Sequence, residues 1–353
     1  MRIAQILIFG ILICHTDDAA WAQGARGGRD READVDPVTV DDATEAIIKG
    51  ALKWFSSKQN ANGSWGLGSG DQYPVAMTGY VLMAYLAAGN LPDEGEYSLQ
   101  VQRGVAYLLN SVSPDGIIGP RTGQYMYGHG IATIALAELY GQSKDPRIRE
   151  KLDLLIKRII KSQNREGGWR YNPDAGDADI SVTVLQVVAL RAAKNAGLEI
   201  PQSALDRAVH YVHTCYNERT GGFTYQPRNN QPGFARTAAA IYSLQVCGQY
   251  NDPQVKKGSE YLVKMLNQQQ AGEWFTYGHF YAAPAQYMLG GETWQQWYPR
   301  VRDRLTNSSK MKRQGDMIYW EPVDSQGQGP IYATAVYTMI LALPYHYVPL
   351  YQR

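Results

Sequence analysis

The sequence predicts an all-α toroid in which an outer ring of helices surrounds an inner ring. Three observations lead to this fold class. One short motif returns six times along most of the chain, amphipathic helical segments precede it, and almost wholly apolar helical segments follow it. A helix with a polar face contacts solvent, whereas a helix that is apolar all round is buried. The alternation of the two kinds therefore indicates two concentric layers.

Composition supports a packed fold and excludes some partners. The chain has 353 residues, of which 44% are hydrophobic, enough for a large core. Its 34 Lys and Arg nearly balance its 33 Asp and Glu, so charge gives no argument for nucleic acid or an anionic membrane surface as a partner. The 25 Tyr and 8 Trp are more than a core alone requires, which directs the search for a site to aromatic surfaces.

The N-terminus is predicted to be a secretory signal peptide, residues 1–22. Arg2 precedes an apolar run from Ile3 to Cys14, and Ala20-Trp21-Ala22 supplies the small residues of a cleavage site. We therefore expect cleavage after Ala22 and export, to the periplasm or the medium. The run is too short to span a bilayer, and retention as an uncleaved anchor is the alternative. No integral membrane segment is expected after cleavage.

Six repeats of about 50 residues are predicted over residues 41–351, after a charged, glycine-rich flexible leader at residues 23–40. The motif is best preserved in "QNANGSWG" and "QNREGGW". Its Gly is expected to make the tight turn that leaves the outer helix, its Gln to bond backbone groups at the helix end, and its aromatic residue to fill the seam between repeats. The last apolar position of the motif falls at Trp65, Ile117, Trp169, Phe223, Trp274 and Trp320.

Each repeat is predicted to contain one outer and one inner helix. Outer segments such as "IREKLDLLIKRIIKSQN" carry apolar residues three or four positions apart with charged residues between them. Inner segments such as "DISVTVLQVVALRAA" are apolar almost throughout, and strand signals are nearly absent. Because the loops that lead into the inner helices lie at one end of such a barrel, we expect a cavity mouth there, close to the N-termini of the inner helices.

The motifs resemble those of the prenyltransferase and squalene-cyclase repeat superfamily, and the likeness covers nearly all of the chain after residue 40. The resemblance implies an α/α-toroid of six helical hairpins with an inner cavity open at one end. Within the superfamily, the chain is similar to exported, single-domain squalene-cyclase-like proteins of bacteria. Terpenoid chemistry in an aromatic cavity is therefore the first functional expectation.

Asp177 and Asp179 are the candidate catalytic residues. In terpene cyclases of this superfamily, the middle Asp of an Asp-x-Asp-Asp motif protonates an alkene, and a buried carboxylic acid can stay neutral for that task. Asp177-Ala178-Asp179-Ile180 matches the first two acids, but Ile180 replaces the last. The alternatives are that one of these acids caps the following helix, where Asp is a preferred residue, or contacts a ligand without chemistry.

Further aromatic and polar residues are predicted to bind a ligand around the cavity mouth. Aromatic faces stabilise carbocations, stack on sugars and contact apolar ligands, so residue types leave the ligand class open. The predicted ligand-binding residues are Tyr125, Tyr127, His129, Trp169, Tyr171, Arg236, Tyr277, His279, Tyr281, Trp320 and Tyr332.

No metal or other cofactor is predicted. The superfamily's protein prenyltransferases bind zinc through an Asp, a Cys and a His on late inner helices, and the corresponding segments here contain no Cys. His210 and His213 are three residues apart on an outer helix without an obvious third ligand, so a solvated pair is expected. Cys215 and Cys247 lie near opposite ends of antiparallel helices, beyond disulfide reach, and are expected to be buried free thiols.

The sequence thus predicts an exported toroid that holds an apolar, isoprenoid-like small molecule in an aromatic central cavity, as a binder or as an enzyme. A carbohydrate-directed enzyme or binder is one alternative, because α/α-toroids also serve lyases and hydrolases. A non-catalytic interaction module, with a protein partner the sequence does not name, is the other. A lining of apolar and aromatic carbons would favour the first, paired carboxylates with Arg the second, and a plugged barrel the third.

Overall fold

The computed structural model describes residues 38–66, 73–120, 124–267, 274–323 and 328–349. From Val38 onward the chain forms one compact unit. The predicted signal peptide lies outside the described residues, as does the predicted leader up to residue 37. Val38 itself packs against the hydrophobic core, three residues before the predicted start of the toroid.

Six helical hairpins form two rings, which confirms the all-α toroid. Each inner helix packs on the next inner helix, and the last packs on the first, so the inner ring is closed. The outer helices are α1 (Asp42–Lys58), α3 (Ser98–Asn110), α5 (Pro146–Lys161), α7 (Gln202–Thr214), α9 (Pro253–Asn267) and α11 (Gly291–Thr306). The inner helices are α2 (Pro74–Ala87), α4 (Tyr125–Ser143), α6 (Ile180–Asn195), α8 (Phe234–Val246), α10 (Phe275–Leu289) and α12 (Pro330–Ala342).

Burial follows the predicted alternation. In α5 the buried residues recur three or four apart and begin with Ile148 and Leu152, so this helix has one core face. In α2 every residue from Val75 to Ala87 is buried. Glycines allow the inner helices to approach closely: a Cβ on Gly130 of α4 would lie 2.7 Å from the Cβ of Leu185 in α6. The inner ring therefore depends on small residues at its helix contacts.

The glutamine and glycine of the motif join successive repeats. Gln163 donates through Nε2 to the carbonyl oxygen of Gly167 and to that of Ala204 in the next outer helix, both at 2.8 Å. Gly167 has a φ of +97°, and an added Cβ would lie 2.3 Å from the carbonyl oxygen of Arg207. Gln59 makes the same two kinds of bond in the first repeat. The motif therefore has the structural role predicted for it.

The aromatic anchor of the motif ties the outer helix to the inner helix of its own repeat. Trp169 donates through Nε1 to the carbonyl oxygen of Ile159 at 2.8 Å, and its backbone N–H donates to Oγ1 of Thr183 at 3.1 Å. The threonine was not identified from the sequence, although it stands 13 or 14 positions after the anchor in four repeats. The pairs are Trp65 with Thr78, Trp169 with Thr183, Phe223 with Thr237, and Trp320 with Thr334.

Trp274 does not fill a seam, so the prediction for this anchor is wrong. Its side chain is 41% exposed, whereas Trp169 is 1% exposed. Trp274 directly precedes α10, while a loop of ten residues separates Trp169 from α6. Without such a loop the chain cannot fold the indole back beneath the outer helix, and Phe275 is buried in its place.

The sixth motif forms a β-hairpin that was not expected. Strands β1 (Met311–Gln314) and β2 (Met317–Trp320) pair antiparallel around a turn in which Gly315 has a φ of +62°. In β2, Ile318 and Trp320 are buried and alternate with half-buried residues, the pattern of a strand with one core face. Tyr319 stacks on Trp54 of α1, so the hairpin joins the last repeat to the first.

Candidate functional site

A cavity of about 190 Å³ opens at the first turns of the inner helices α2, α4, α10 and α12, which is the end of the barrel predicted for it. None of the residues described as lining it is charged. Its aromatic lining consists of Tyr73, Tyr80, Tyr125, Tyr127, Tyr171, Trp274, Tyr277 and Tyr332. The remaining lining residues are small, aliphatic or neutral polar: Pro74, Val75, Ala76, Met77, Ile118, Pro120, Gln124, Gly128, Thr276 and Gln328.

The structure brings five of the predicted ligand-binding residues to this cavity and places six elsewhere. The five are Tyr125, Tyr127, Tyr171, Tyr277 and Tyr332. Two others, Trp169 and Trp320, are buried in seams between helices, and Arg236 is half-buried and donates to the carbonyl oxygen of Gln231. The remaining three, His129, His279 and Tyr281, are completely buried and do not line the cavity.

Three aromatic lining residues, Tyr73, Tyr80 and Trp274, were absent from the predicted set. Tyr80 lies in the middle of the apolar stretch of α2, where the sequence pattern assigns it to the core. Trp274 was predicted to fill a seam. The signal for Tyr80 is a phenol within an inner helix, since a buried hydroxyl needs a polar partner or a cavity.

Asp179 caps α6, as one of the three interpretations of the sequence predicts. Its side chain is fully buried and accepts hydrogen bonds from the backbone N–H of Val182 at 3.0 Å and from the hydroxyl of Ser181. Its other oxygen accepts from the guanidinium of Arg170. Each of these partners is a donor, so the surroundings of Asp179 suit an anionic acceptor. Asp179 is not among the residues that line the cavity.

Arg170 links this acid to the aromatic wall. Its guanidinium carbon lies 4.4 Å from the ring centroid of Tyr171, a cation–π distance, and Nη1 donates to the hydroxyl of Tyr225 at 2.6 Å. Asp177 meets Nε of Arg170 at 3.2 Å from an exposed position. Asp177 and Asp179 therefore share one arginine, with one acid at the surface and the other buried.

Tyr127 and Tyr277 meet at Ser181. The hydroxyl of Tyr127 lies 2.7 Å from Oγ of Ser181, and the hydroxyl of Tyr277 donates to the backbone carbonyl of Ser181 at 2.9 Å. Burial raises the pKa of both phenols well above the usual value, and the nearby charge of Asp179 adds to this. Both tyrosines are thus neutral hydroxyls at neutral pH.

His129 orients Tyr125 from behind the lining. Nε2 of His129 lies 3.2 Å from the carbonyl oxygen of Leu155, which can only accept, so Nε2 carries the proton. Nδ1 then accepts from the hydroxyl of Tyr125 at 2.7 Å. Burial lowers the pKa of His129 to about 4, which keeps the ring neutral.

Stability is expected to fall as the pH drops from about 7 to about 5. In the unfolded chain His129 takes up a proton near pH 6.5, whereas in the folded protein its pKa is about 4. The stability that is present above pH 6.5 is therefore lost progressively as the pH falls toward 4. His129 alone should contribute a loss of about 2 kcal/mol over this range. Urea unfolding of the wild type and of His129→Gln at both pH values measures this. An equal pH dependence in the two proteins would refute it.

No group of three or more His, Cys, Asp or Glu side chains is placed to hold a metal ion within the described ranges. His213 contacts Asp252 and Gln254, and His210 is exposed. Burial raises the pKa of the free thiols Cys215 and Cys247 to about 12. Within the described part of the chain, no helix is long and apolar enough to cross a membrane.

In sequence, the chain resembles a cyclase over part of its length. No family model matches it. It is 31% identical to the squalene–hopene cyclase of Bradyrhizobium diazoefficiens over 157 residues, which cover 41% of this chain and 22% of that protein. The chain therefore aligns with about a fifth of the length of this curated relative.

Solved structures with the same fold have several activities. The α-1,6-mannanase GH76A of Salegentibacter sp. HEL1_6 superimposes with a TM-score of 0.61 at 9% identity, covering 87% of this chain and 100% of that one. A sugar epimerase from a ruminal bacterium gives 0.61 at 12% identity, over 87% and 99%. The protein geranylgeranyltransferase-I of Candida albicans, complexed with GGPP, gives 0.52 at 13% identity, over 84% and 89%. At these identities the likeness shows the shared toroid fold alone.

Proposed function

We propose that this protein binds an apolar, isoprenoid-like small molecule in the tyrosine-lined cavity. The observation that carries the proposal is the lining itself, which combines aromatic rings with Val75, Met77 and Ile118 and includes no charged residue among those described. The transfer of an apolar molecule from water to such a surface is favourable in free energy, and a few hydroxyl groups suffice to orient the molecule. The partial likeness to a cyclase and the shared fold with a geranylgeranyltransferase support the same ligand class.

A carbohydrate ligand has less support from the site. The mannanase and the sugar epimerase share the fold, but hydrolysis of a glycosidic bond ordinarily uses two carboxyl groups that face the sugar. Here Asp177 and Asp179 both pair with Arg170, and neither lines the cavity. Tyrosine rings do stack on sugars, so a mannose oligosaccharide belongs among the ligands to be tested.

Proton-initiated cyclisation is not part of the proposal. A carboxyl group that protonates an alkene must carry its own proton and reach the substrate. Asp179 instead accepts from Arg170, Ser181 and Val182, and lies outside the cavity lining. We therefore assign Asp179 a capping and positioning role. Predicted export remains part of the proposal, and a mature N-terminus at Gln23 in the secreted protein would establish it.

Filling the cavity is expected to abolish binding without loss of the fold. Gly128 of α4 lines the cavity, and among the described residues a Cβ there would meet only Ala76, at 3.8 Å. Gly128→Phe should therefore place its ring in the cavity and weaken binding of farnesol by more than about 10-fold, while glycine replacement in a helix favours folding. Titration followed by tryptophan fluorescence, with mannotetraose as a second ligand, measures the effect.

Gly141→Phe is the matched control. It lies in the same helix, is half-buried, and does not line the cavity, and its added Cβ would meet Ala196 at 3.7 Å. This variant should bind farnesol like the wild type. Native mass spectrometry of the wild type and Gly128→Phe, followed by lipid extraction, shows which molecule co-purifies. Binding of mannotetraose but not farnesol by the wild type would overturn the proposal.

A further inference from the structure

The direction of the hydrogen bonds around Ser181 determines what the cavity wall offers a ligand. Ser181 has one hydroxyl proton, and it donates this proton to Asp179, which is held as an acceptor between Arg170 and the N-terminus of α6. Oγ of Ser181 can then only accept from the hydroxyl of Tyr127, 2.7 Å away. The proton of Tyr127 is therefore committed to Ser181.

Tyr277 is committed in the same way. Its hydroxyl donates to the backbone carbonyl of Ser181 at 2.9 Å, and a carbonyl oxygen has no proton to return. Tyr127 and Tyr277 both line the cavity, and their two hydroxyl groups converge on one residue, Ser181. Each phenolic oxygen keeps the capacity to accept a hydrogen bond but has no proton to give. A ligand that reaches these two oxygens therefore meets acceptors only.

Oxygens that can only accept a hydrogen bond discriminate between the head groups of possible ligands. An alcohol can donate to either phenolic oxygen, whereas an ether of the same chain cannot. A phosphate or diphosphate group would lose hydration in a mostly aromatic cavity, and no described lining residue is a cation that could offset its charge. An ammonium group can donate to the same oxygens, but no described lining residue supplies a carboxylate to pair with it, and the charge of Asp179 is already opposed by Arg170.

We infer that the ligand of the cavity is an apolar molecule with a single hydroxyl head, which donates its proton to Tyr127 or Tyr277. The inference rests on the proposed function and names the chemical class of its ligand. Asp179 and Ser181 act as positioning residues: they never touch the ligand, but they fix which way the hydroxyl of Tyr127 points.

Three probes with the same farnesyl chain test the inference: farnesol, farnesyl methyl ether and farnesyl diphosphate. Wild-type protein should bind farnesol about 5- to 10-fold more tightly than the ether, the value of one net hydrogen bond, and the diphosphate most weakly. In the double variant Tyr127→Phe/Tyr277→Phe, which removes both acceptor oxygens, the preference for alcohol over ether should shrink toward parity. Tyr298→Phe, which removes a buried phenol hydroxyl that donates to the carbonyl oxygen of Leu341 and does not line the cavity, is the matched control and should retain the preference.

Ser181→Ala tests the direction of the hydrogen bond. Without Oγ, the hydroxyl of Tyr127 regains a proton that it can give to the cavity, so the ether should bind more tightly than it does to the wild type. Equal binding of alcohol and ether to the wild type, or tightest binding of the diphosphate, overturns the inference but leaves the proposed function standing. If none of the three probes binds, the proposed function fails and the inference fails with it.

Discussion

Trp169→Ala is expected to lower the free energy of unfolding by about 3–5 kcal/mol, the usual cost of removing a large buried aromatic side chain. Trp169 is 1% exposed, and its indole N–H and backbone N–H both bond to neighbouring helices. Alanine leaves a cavity in the seam and a carbonyl oxygen of Ile159 without its indole partner. Urea unfolding, followed by circular dichroism, measures the change.

Trp274→Ala is the matched control, because it changes the same motif position two repeats later. Trp274 is 41% exposed and lines the cavity mouth, so its loss should cost less than about 1 kcal/mol of stability. It should instead weaken the binding of an apolar ligand. Equal destabilisation by the two substitutions would contradict the different roles that the structure gives these anchors.

Asp179→Ala is expected to destabilise the protein by about 3 kcal/mol, because it removes an N-cap and leaves the partly buried guanidinium of Arg170 short of a partner. Asp179→Asn should cost about 2 kcal/mol, since asparagine can still cap the helix but carries no charge. The difference between the two variants separates capping from ion pairing. Chemical denaturation at neutral pH gives both values.

Asp177→Asn provides the comparison for Asp179. Asp177 pairs with the same Arg170, but its side chain is 56% exposed, so the change should cost less than about 0.5 kcal/mol. If Asp179→Asn were as stable as the wild type, Asp179 would not be the structural acceptor described above. An unaltered stability together with a lost enzymatic activity would restore the catalytic interpretation of this acid.

Asp177 and Asp179 show how much of a residue's role local sequence can predict. The spacing of Asp177 and Asp179 from the Gly-Gly-Trp motif is compatible with a catalytic acid and with a helix cap. Sequence leaves both open, because each requires an Asp just before an apolar helix. The contacts with Arg170, Ser181 and Val182 favour the cap, and the contact with Arg170 forms only when the loop is folded against the helix.

The sequence by itself determined the toroid with its inner and outer layers of helices. The spacing of apolar residues within each helix predicts whether the helix is buried on one face or on all faces. The repeated Gln, Gly and Trp mark where each hairpin turns, as at Gln163, Gly167 and Trp169. Such information is local, so it survives without knowledge of any long-range contact. It even indicated the end of the barrel at which the cavity opens.

Only the tertiary structure decided which residues face the cavity and what they offer. Trp274 and Trp169 occupy the same motif position, yet one lines the cavity and the other a seam, because their distances to the next helix differ. The hydroxyl of Tyr127 is oriented by a residue 54 positions away, and Tyr277 reaches the same residue across 96 positions. Hydrogen-bond direction depends on such distant partners, and no local spacing encodes them.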